Sequence, residues 1–304
     1  MNAVFVDASD TLALIMEQQA RPDDLPIVIH RDPNVSPGDL PGVLAGAAIA
    51  IIDHTYLPTE IARQCAGLKH VVFLGTGARS YMNIEELAAL GINVHLIRGY
   101  GDTAVAEHAI ALMWAAARNL ALMDREMRSG RWLLENGMQL TGKTLGLIGF
   151  GGIGAEVARI AHGSGMKVLA WNRTPKEVAG VSFVDIDTLL ADSHIVSLHL
   201  LLDDATRGFL SRKRIAAMRP GAILVNTARA GLTDEAAMID ALRSGHLRHA
   251  ALDVFDIEPL PVDHPLTTLP NVTLSAHSAF RTPEASENLI EAALVHCRRI
   301  AAGD

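Results

Sequence analysis

Three ionisable side chains late in the chain have types and positions that suit one reaction: Arg229 in NTARAG, Glu258 in DIEP and His277 closing NVTLSAH. Each follows or lies near the end of an apolar run of strand type, respectively GAILVN, HAALDVF and NVTLSAH. Ligands of open α/β sheets gather outside the carboxyl ends of the strands, so residues distant in sequence can converge there. A guanidinium holds a planar carboxylate or polarises an oxo oxygen in fixed geometry. An imidazolium supplies the proton a carbonyl oxygen gains as hydride reaches its carbon. A carboxylate against the imidazole orients it and favours its charged form. Anion anchor, proton donor and orienter are all present. Taken singly, each has a structural reading: a histidine satisfied at a strand end, an arginine on the surface, a glutamate in a solvated loop before Pro259.

A second constellation precedes these. GFGGIG places Gly149, Gly151 and Gly154 in GxGxxG spacing between the strand-like KTLGLIG and a helical segment. The first glycine permits the tight turn, the second lets amides approach a pyrophosphate, and the third lets helix and strand pack closely. Phe150, Gly152 and Ile153 fill the same turn, and the helix N-terminus adds the positive end of its dipole. Alone the motif is weak. Followed by the strand-like KVLAW it predicts a dinucleotide site. Where an NAD site usually carries an acid for the ribose 2′-hydroxyl, this chain has Asn172, then Arg173, Thr174 and Lys176. That set is positioned to receive a 2′-phosphate, which favours NADP over NAD.

The elements that must position these residues alternate strand and helix. IVIH, AIAIID, HVVFLG and INVHLI fall in the first hundred residues, and KTLGLIG, KVLAW, HIVSLHL, GAILVN, HAALDVF and NVTLSAH follow. This spacing predicts two doubly wound α/β domains with parallel sheets, a Rossmann-type nucleotide domain inserted in a flavodoxin-like one. The run from Thr103 to Gly130 reads as one long helix carrying the chain between domains. EASENLIEAALVHCRRIAA reads as an amphipathic helix returning to the first domain. The expected division is 1–99 plus 282–304 for the substrate domain and 100–281 for the nucleotide domain.

Bulk properties exclude several classes. At 304 residues the chain exceeds one comfortable core. A formal net charge of -8 without a basic cluster argues against a nucleic-acid partner. Cys65 and Cys297 lie outside any CxxC pattern, which suits a reducing cytoplasm. The histidines besides His277, His246 and His249 among them, lack the carboxylates and cysteines of a metal site, so no metal is expected. The longest apolar run, VLAGAAIAII, is about half a membrane span, and MNAVFVDASD reads as a first strand rather than a signal peptide.

Over nearly its whole length the chain resembles the D-isomer-specific 2-hydroxyacid dehydrogenase family, through GKTLGLIGFGGIG, AMRPGAILVNTARAGLTDEAAM, HAALDVFDIEPLP and NVTLSAH in order. The resemblance implies that Arg229 binds substrate, Glu258 pairs with His277, and His277 is the acid/base. It implies that Asp253 sits near the nicotinamide carboxamide, that Thr227 and Ala228 belong to the cofactor site, and that the protein is a homodimer. VVFLGTGARSYMNIEEL resembles the family's substrate loop, making Leu74 and the amides of Gly75, Thr76 and Gly77 candidates to hold a carboxylate. Three departures stand out: Arg79 in place of a small apolar residue, Arg98 where proline often precedes glycine, and Ala276 in place of a frequent proline. A glyoxylate/hydroxypyruvate-type reductase is the leading expectation. The alternatives are a D-3-phosphoglycerate dehydrogenase-like enzyme, which needs an added basic cluster, and a dinucleotide-sensing binding protein of corepressor type.

Overall fold

The computed structural model describes residues 1–174 and 176–303. The chain divides into two compact units, Met1–Gly101 with the segment from Arg281 onward, and Asp102–Phe280. The joins thus fall two residues after and one before the expected division.

In the first unit, β1 (Ala3–Phe5), β2 (Ile27–Ile29), β3 (Ile49–Ile52), β4 (His70–Phe73) and β5 (Asn93–Leu96) form a parallel sheet in the order β2-β1-β3-β4-β5. Successive strand residues point to opposite faces, and both faces are covered. Ile49 and Ile51 join one buried cluster with Phe5 and Val72, while Ala50 and Ile52 join the other with Val4 and Val71. That is why these strands read as continuous apolar runs. The helix Pro283–Ala302 supplies Leu289, Ile290, Ala293, Leu294 and Cys297 to the first of these clusters, as its amphipathic pattern predicts. Its N-cap Thr282 accepts from the Ala285 amide, with proline in the first turn.

In the second unit, β6 (Thr144–Ile148), β7 (Lys167–Trp171), β8 (Val181–Phe183), β9 (Ile195–Leu198), β10 (Ala222–Asn226), β11 (Leu247–Leu252) and β12 (Val272–Leu274) form a parallel sheet. Their order is β12-β11-β10-β9-β6-β7-β8. Strand order reverses at β6, which puts a crevice at its carboxyl end. Leu145, Leu147, Ile223 and Val225 pack under the helices Asp102–Ala117 and Gly152–Gly163, and Ile148, Val196, Leu198 and Leu224 pack on the opposite face.

Two expectations are corrected, and two short elements appear that the sequence pattern does not mark. The single helix from Thr103 is two, Asp102–Ala117 and Leu120–Arg128, because Asn119 takes a left-handed conformation (φ 52°) and turns the chain. The first of them is buried in the second unit rather than serving as a connector. β8 has only three residues, too few for a readable period. The loop Pro259 to Pro270 contains a helical turn, Pro265–Thr268. Among the described residues, no helix is long and apolar enough to cross a membrane, and no group of side chains is arranged to hold a metal ion.

Candidate active site

His277 lies three positions past the end of β12, not at its last residue. Its backbone is left-handed (φ 48°), a conformation costing a non-glycine residue roughly 1–2 kcal/mol. The turn that imposes this is tied to the end of β11. The carboxylate of Asp253, fully buried, accepts from the Ser275 hydroxyl and the Ser278 amide on Oδ1 and from the Ala279 amide on Oδ2. The Asp253 carbonyl accepts the His277 amide at 2.8 Å. Burial works to raise the Asp253 carboxyl, but hydrogen bonds from His108, Ser275, Ser278 and Ala279 outweigh it and bring it down to about 2.

The imidazole of His277 meets Glu258 through Nδ1 and Oε2 at 2.7 Å, each side chain about one-third exposed. Glu258 is held in turn by the Phe255 amide, which donates to Oε1 at 2.9 Å. An ionised carboxylate can only accept, so Nδ1 carries a proton and Nε2 is the nitrogen left to face a ligand. The ring stands edge-on to Phe280.

Arg229 follows β10 in extended conformation, with its backbone fixed by the buried Asn226. Asn226 accepts from the Ala228 amide and donates to the Arg229 carbonyl, both at 2.9 Å. The guanidinium is exposed and donates to the Ala228 carbonyl at 2.7 Å. Among the described residues it makes no hydrogen bond or ion pair with Glu258 or His277, so two of the three expected side chains are in contact and the third stands at a nearby strand end.

At the carboxyl end of β6, two of the motif's glycines are required by close approach. Gly149 has φ 98°, and a Cβ there would lie 2.5 Å from the His199 carbonyl. A Cβ on Gly154 would lie 2.6 Å from the Gly149 carbonyl. Gly151, the N-cap of the helix Gly152–Gly163, borders open space. Gly152 answers a different neighbour: its missing Cβ leaves room for the carboxylate of Asp102, which burial pushes up. Beside the same crevice the buried Thr227 hydroxyl has no partner among the described residues. An open N-cap and a turn free of side chains fit a dinucleotide's phosphates, and the Thr227 hydroxyl is left for another of its polar groups.

Asn172 accepts from the Phe150 amide at 3.2 Å and donates to the Thr174 carbonyl at 2.8 Å, tying the end of β7 to the glycine turn. Lys176 donates to the Phe150 carbonyl at 2.9 Å. Arg173 and Thr174 are exposed, and the Arg173 charge is felt by Asp203.

In the first unit the turn after β4 carries Leu74 to Gly77. Gly75, at φ 150°, donates its amide to the Phe73 carbonyl, which withdraws it from the candidates for a ligand. The amides of Thr76 and Gly77 have no partner among the described residues. Arg79 pairs with Glu85, Nη1 to Oε2 at 2.9 Å, and Arg98 is exposed.

Sequence reasoning missed Asn226, Ser275 and His108. An asparagine whose side chain takes the amide two residues on is a turn signal that NTARAG displays. His108 lies in a different segment altogether, with nothing local to single it out.

A doubly wound unit with a glycine turn at its order reversal and a carboxylate-held histidine at its strand ends is the framework of a nicotinamide-dinucleotide-dependent oxidoreductase acting on a CH–OH group. Residues 110–279 match the sequence profile described as D-isomer specific 2-hydroxyacid dehydrogenase, NAD binding domain, and the chain belongs to the D-isomer specific 2-hydroxyacid dehydrogenase family. It is 38% identical to the hydroxypyruvate reductase of Thermotoga maritima over 241 residues, 77% of this chain and 78% of that one. It is 38% identical to the D-3-phosphoglycerate dehydrogenase of Archaeoglobus fulgidus over 248 residues, 80% of this chain but only 47% of that enzyme. Among solved structures, an acyclic imino acid reductase in complex with NADPH and D-Arg superimposes with a TM-score of 0.87 at 28% identity, covering 100% of this chain and 98% of its own.

Proposed function

We propose that the chain is a cytoplasmic reductase that converts a small 2-oxo acid, glyoxylate or hydroxypyruvate, to the corresponding 2-hydroxy acid, of D configuration where that product is chiral, with NADPH preferred over NADH. The His277–Glu258 pair carries this reading. The bound dinucleotide supplies hydride. His277 gives the proton on Nε2 to the substrate oxygen as that oxygen gains charge, and Glu258, hydrogen-bonded at Nδ1, holds the ring in place. Arg229 takes the substrate's oxo or carboxylate oxygen, and the amides of Thr76 and Gly77 take the carboxylate. Gly149 to Gly154 receive the pyrophosphate, with Thr227, Ala228 and Asp253 toward the nicotinamide.

The preference for NADPH rests on Asn172, which is neutral where a carboxylate would repel a 2′-phosphate, and on Arg173, which is exposed beside it. Among the described residues Lys176 meets the carbonyl and ring of Phe150 and no carboxylate, so its charge remains available to the field there. The unphosphorylated acids are favoured because Arg79, a candidate for a substrate phosphate, is paired with Glu85. A homodimer formed by the nucleotide units is supported by the exposed apolar side chains Leu120, Met127, Trp132 and Leu134, close together in sequence. Sedimentation as a monomer would contradict it.

Initial rates with glyoxylate, hydroxypyruvate, pyruvate, phenylpyruvate and 3-phosphohydroxypyruvate, each with NADPH and NADH, test the proposal. Expected is the highest kcat/KM for glyoxylate or hydroxypyruvate, with NADPH preferred by roughly tenfold or more. Turnover of none of the five would refute the reaction, and a preference for NADH would return the cofactor to NAD.

A further inference from the structure

The carboxylate of Asp253 is held by more than the turn it anchors. His108, on the buried helix Asp102–Ala117, places Nε2 2.9 Å from the Ser275 hydroxyl and 3.4 Å from Asp253 Oδ1. Ser275 has one hydroxyl proton, and Oδ1 of Asp253 accepts it. Toward His108 the hydroxyl can therefore only accept, so Nε2 of His108 bears a proton. The chain of donors runs from His108 through Ser275 to Asp253.

That chain brackets His277. Ser275 precedes it by two residues, Ser278 and Ala279 follow it, and the amide of His277 itself is taken by the Asp253 carbonyl. The residue between these anchors is the one in left-handed conformation. A strained backbone persists only where its surroundings over-determine it. Around His108 the helix Asp102–Ala117 packs apolar side chains, with Ala104, Ile110 and Met113 buried. A histidine there at 27% side-chain exposure, with its proton directed at Ser275, has a specific task.

Resting on the assignment of His277 as acid/base, we propose that His108 and Ser275 are positioning residues: through Asp253 they hold the turn 275–279 so that the His277 imidazole stays aligned with Glu258. His108 touches neither Glu258 nor His277 among the described residues, so its effect passes through the turn. In His108→Ala the imidazole of His277 loses its fixed aim. In His108→Gln an amide N–H reaches the same hydroxyl and restores it.

The test combines kinetics with proton NMR of the Nδ1 hydrogen of His277, a far-downfield signal when that hydrogen is shared with a carboxylate. In His108→Ala, kcat for 2-oxo acid reduction falls on the order of 10- to 100-fold with KM within about threefold, and the downfield signal broadens or disappears. His108→Gln recovers both. Ser275→Ala, which leaves the helix untouched, repeats the loss and covers the case in which His108→Ala does not fold. An unchanged signal in both Ala variants overturns the proposal, as does a Gln variant that folds but restores neither readout. The NMR arm needs no substrate: loss of the signal in an enzyme that reduces no 2-oxo acid would keep the positioning role and refute the assigned reaction instead.

Discussion

The two sheets share a plan: β1 in the first unit and β6 in the second are each flanked on both sides by strands that come later in the chain. The turns that leave these central strands have opposite chemistry. After β6, glycines leave the turn and the helix N-cap without side chains, and the space before Gly151 is open. After β1, the buried Asp7 fills the corresponding place. Its Oδ1 accepts the Asp53 amide at 2.9 Å, and its Oδ2 accepts the amides of His54 and Thr55 and the Thr55 hydroxyl at 2.7 to 2.8 Å. One crevice offers donors to an anion from outside; the other has satisfied its donors with its own carboxylate. Topology creates the crevice, and side chains decide whether it takes a ligand.

The largest effect expected from breaking this contrast is on stability. Asp7→Ala leaves four donors without their acceptor, at a cost of about 4 kcal/mol if water replaces it only in part. Thermal unfolding should show the loss, while the Kd for NADPH, measured by fluorescence, stays within about twofold. A loss of cofactor affinity in this variant would mean that the filled crevice is not merely structural. In the second unit the reverse holds. Gly149→Ala puts a Cβ against a backbone carbonyl at a position with φ 98°, and NADPH affinity should fall on the order of 100-fold. An unchanged Kd would remove the glycine turn from the site.

Two histidines sharpen the contrast through pH. Burial pushes His249 down to about 4, with Arg248 adding to the effect, and its Nε2 is bonded to Thr273. Unfolded, it titrates near 6.5, so between those values the unfolded chain binds more protons. The stability is present above pH 6.5 and is lost as pH falls toward 4, by about 2 kcal/mol at pH 5. Urea unfolding of wild type and His249→Gln at pH 7 and pH 5 checks this; equal losses in both would contradict it. In the first unit His54 has the opposite sign. Its hydrogen bond to Asp53, opposed by burial and aided by the charge of Asp7, pushes it up to about 9. Its contribution is present below pH 6.5 and is lost as pH rises through 9. Being half exposed, it gives the smaller effect.

Both doubly wound sheets were legible because strands covered on two faces leave continuous apolar runs, and the GxGxxG turn was legible because close approach of backbone to backbone demands glycine. The partnership of Glu258 and His277 was readable from strand-end position together with the family resemblance. What stayed hidden has no local signature. Asn119 breaks a helix through one backbone angle, and β8 is shorter than any period. His108 reaches Ser275 across the whole span of the second unit's sequence. The engagement of Gly75 and Lys176 with nearby carbonyls is likewise a matter of a few ångströms that composition does not encode.

The central claim, that His277 donates the proton under the control of Glu258, is tested most directly by a double-mutant cycle: kcat/KM for 2-oxo acid reduction in wild type, His277→Gln, Glu258→Gln and the double variant. If the two side chains act as one unit through their 2.7 Å contact, each single substitution lowers kcat/KM on the order of 100-fold or more, and the double variant is little worse than His277→Gln alone. Losses that simply multiply in the double variant, or a Glu258→Gln enzyme with near wild-type kcat/KM, would contradict the account.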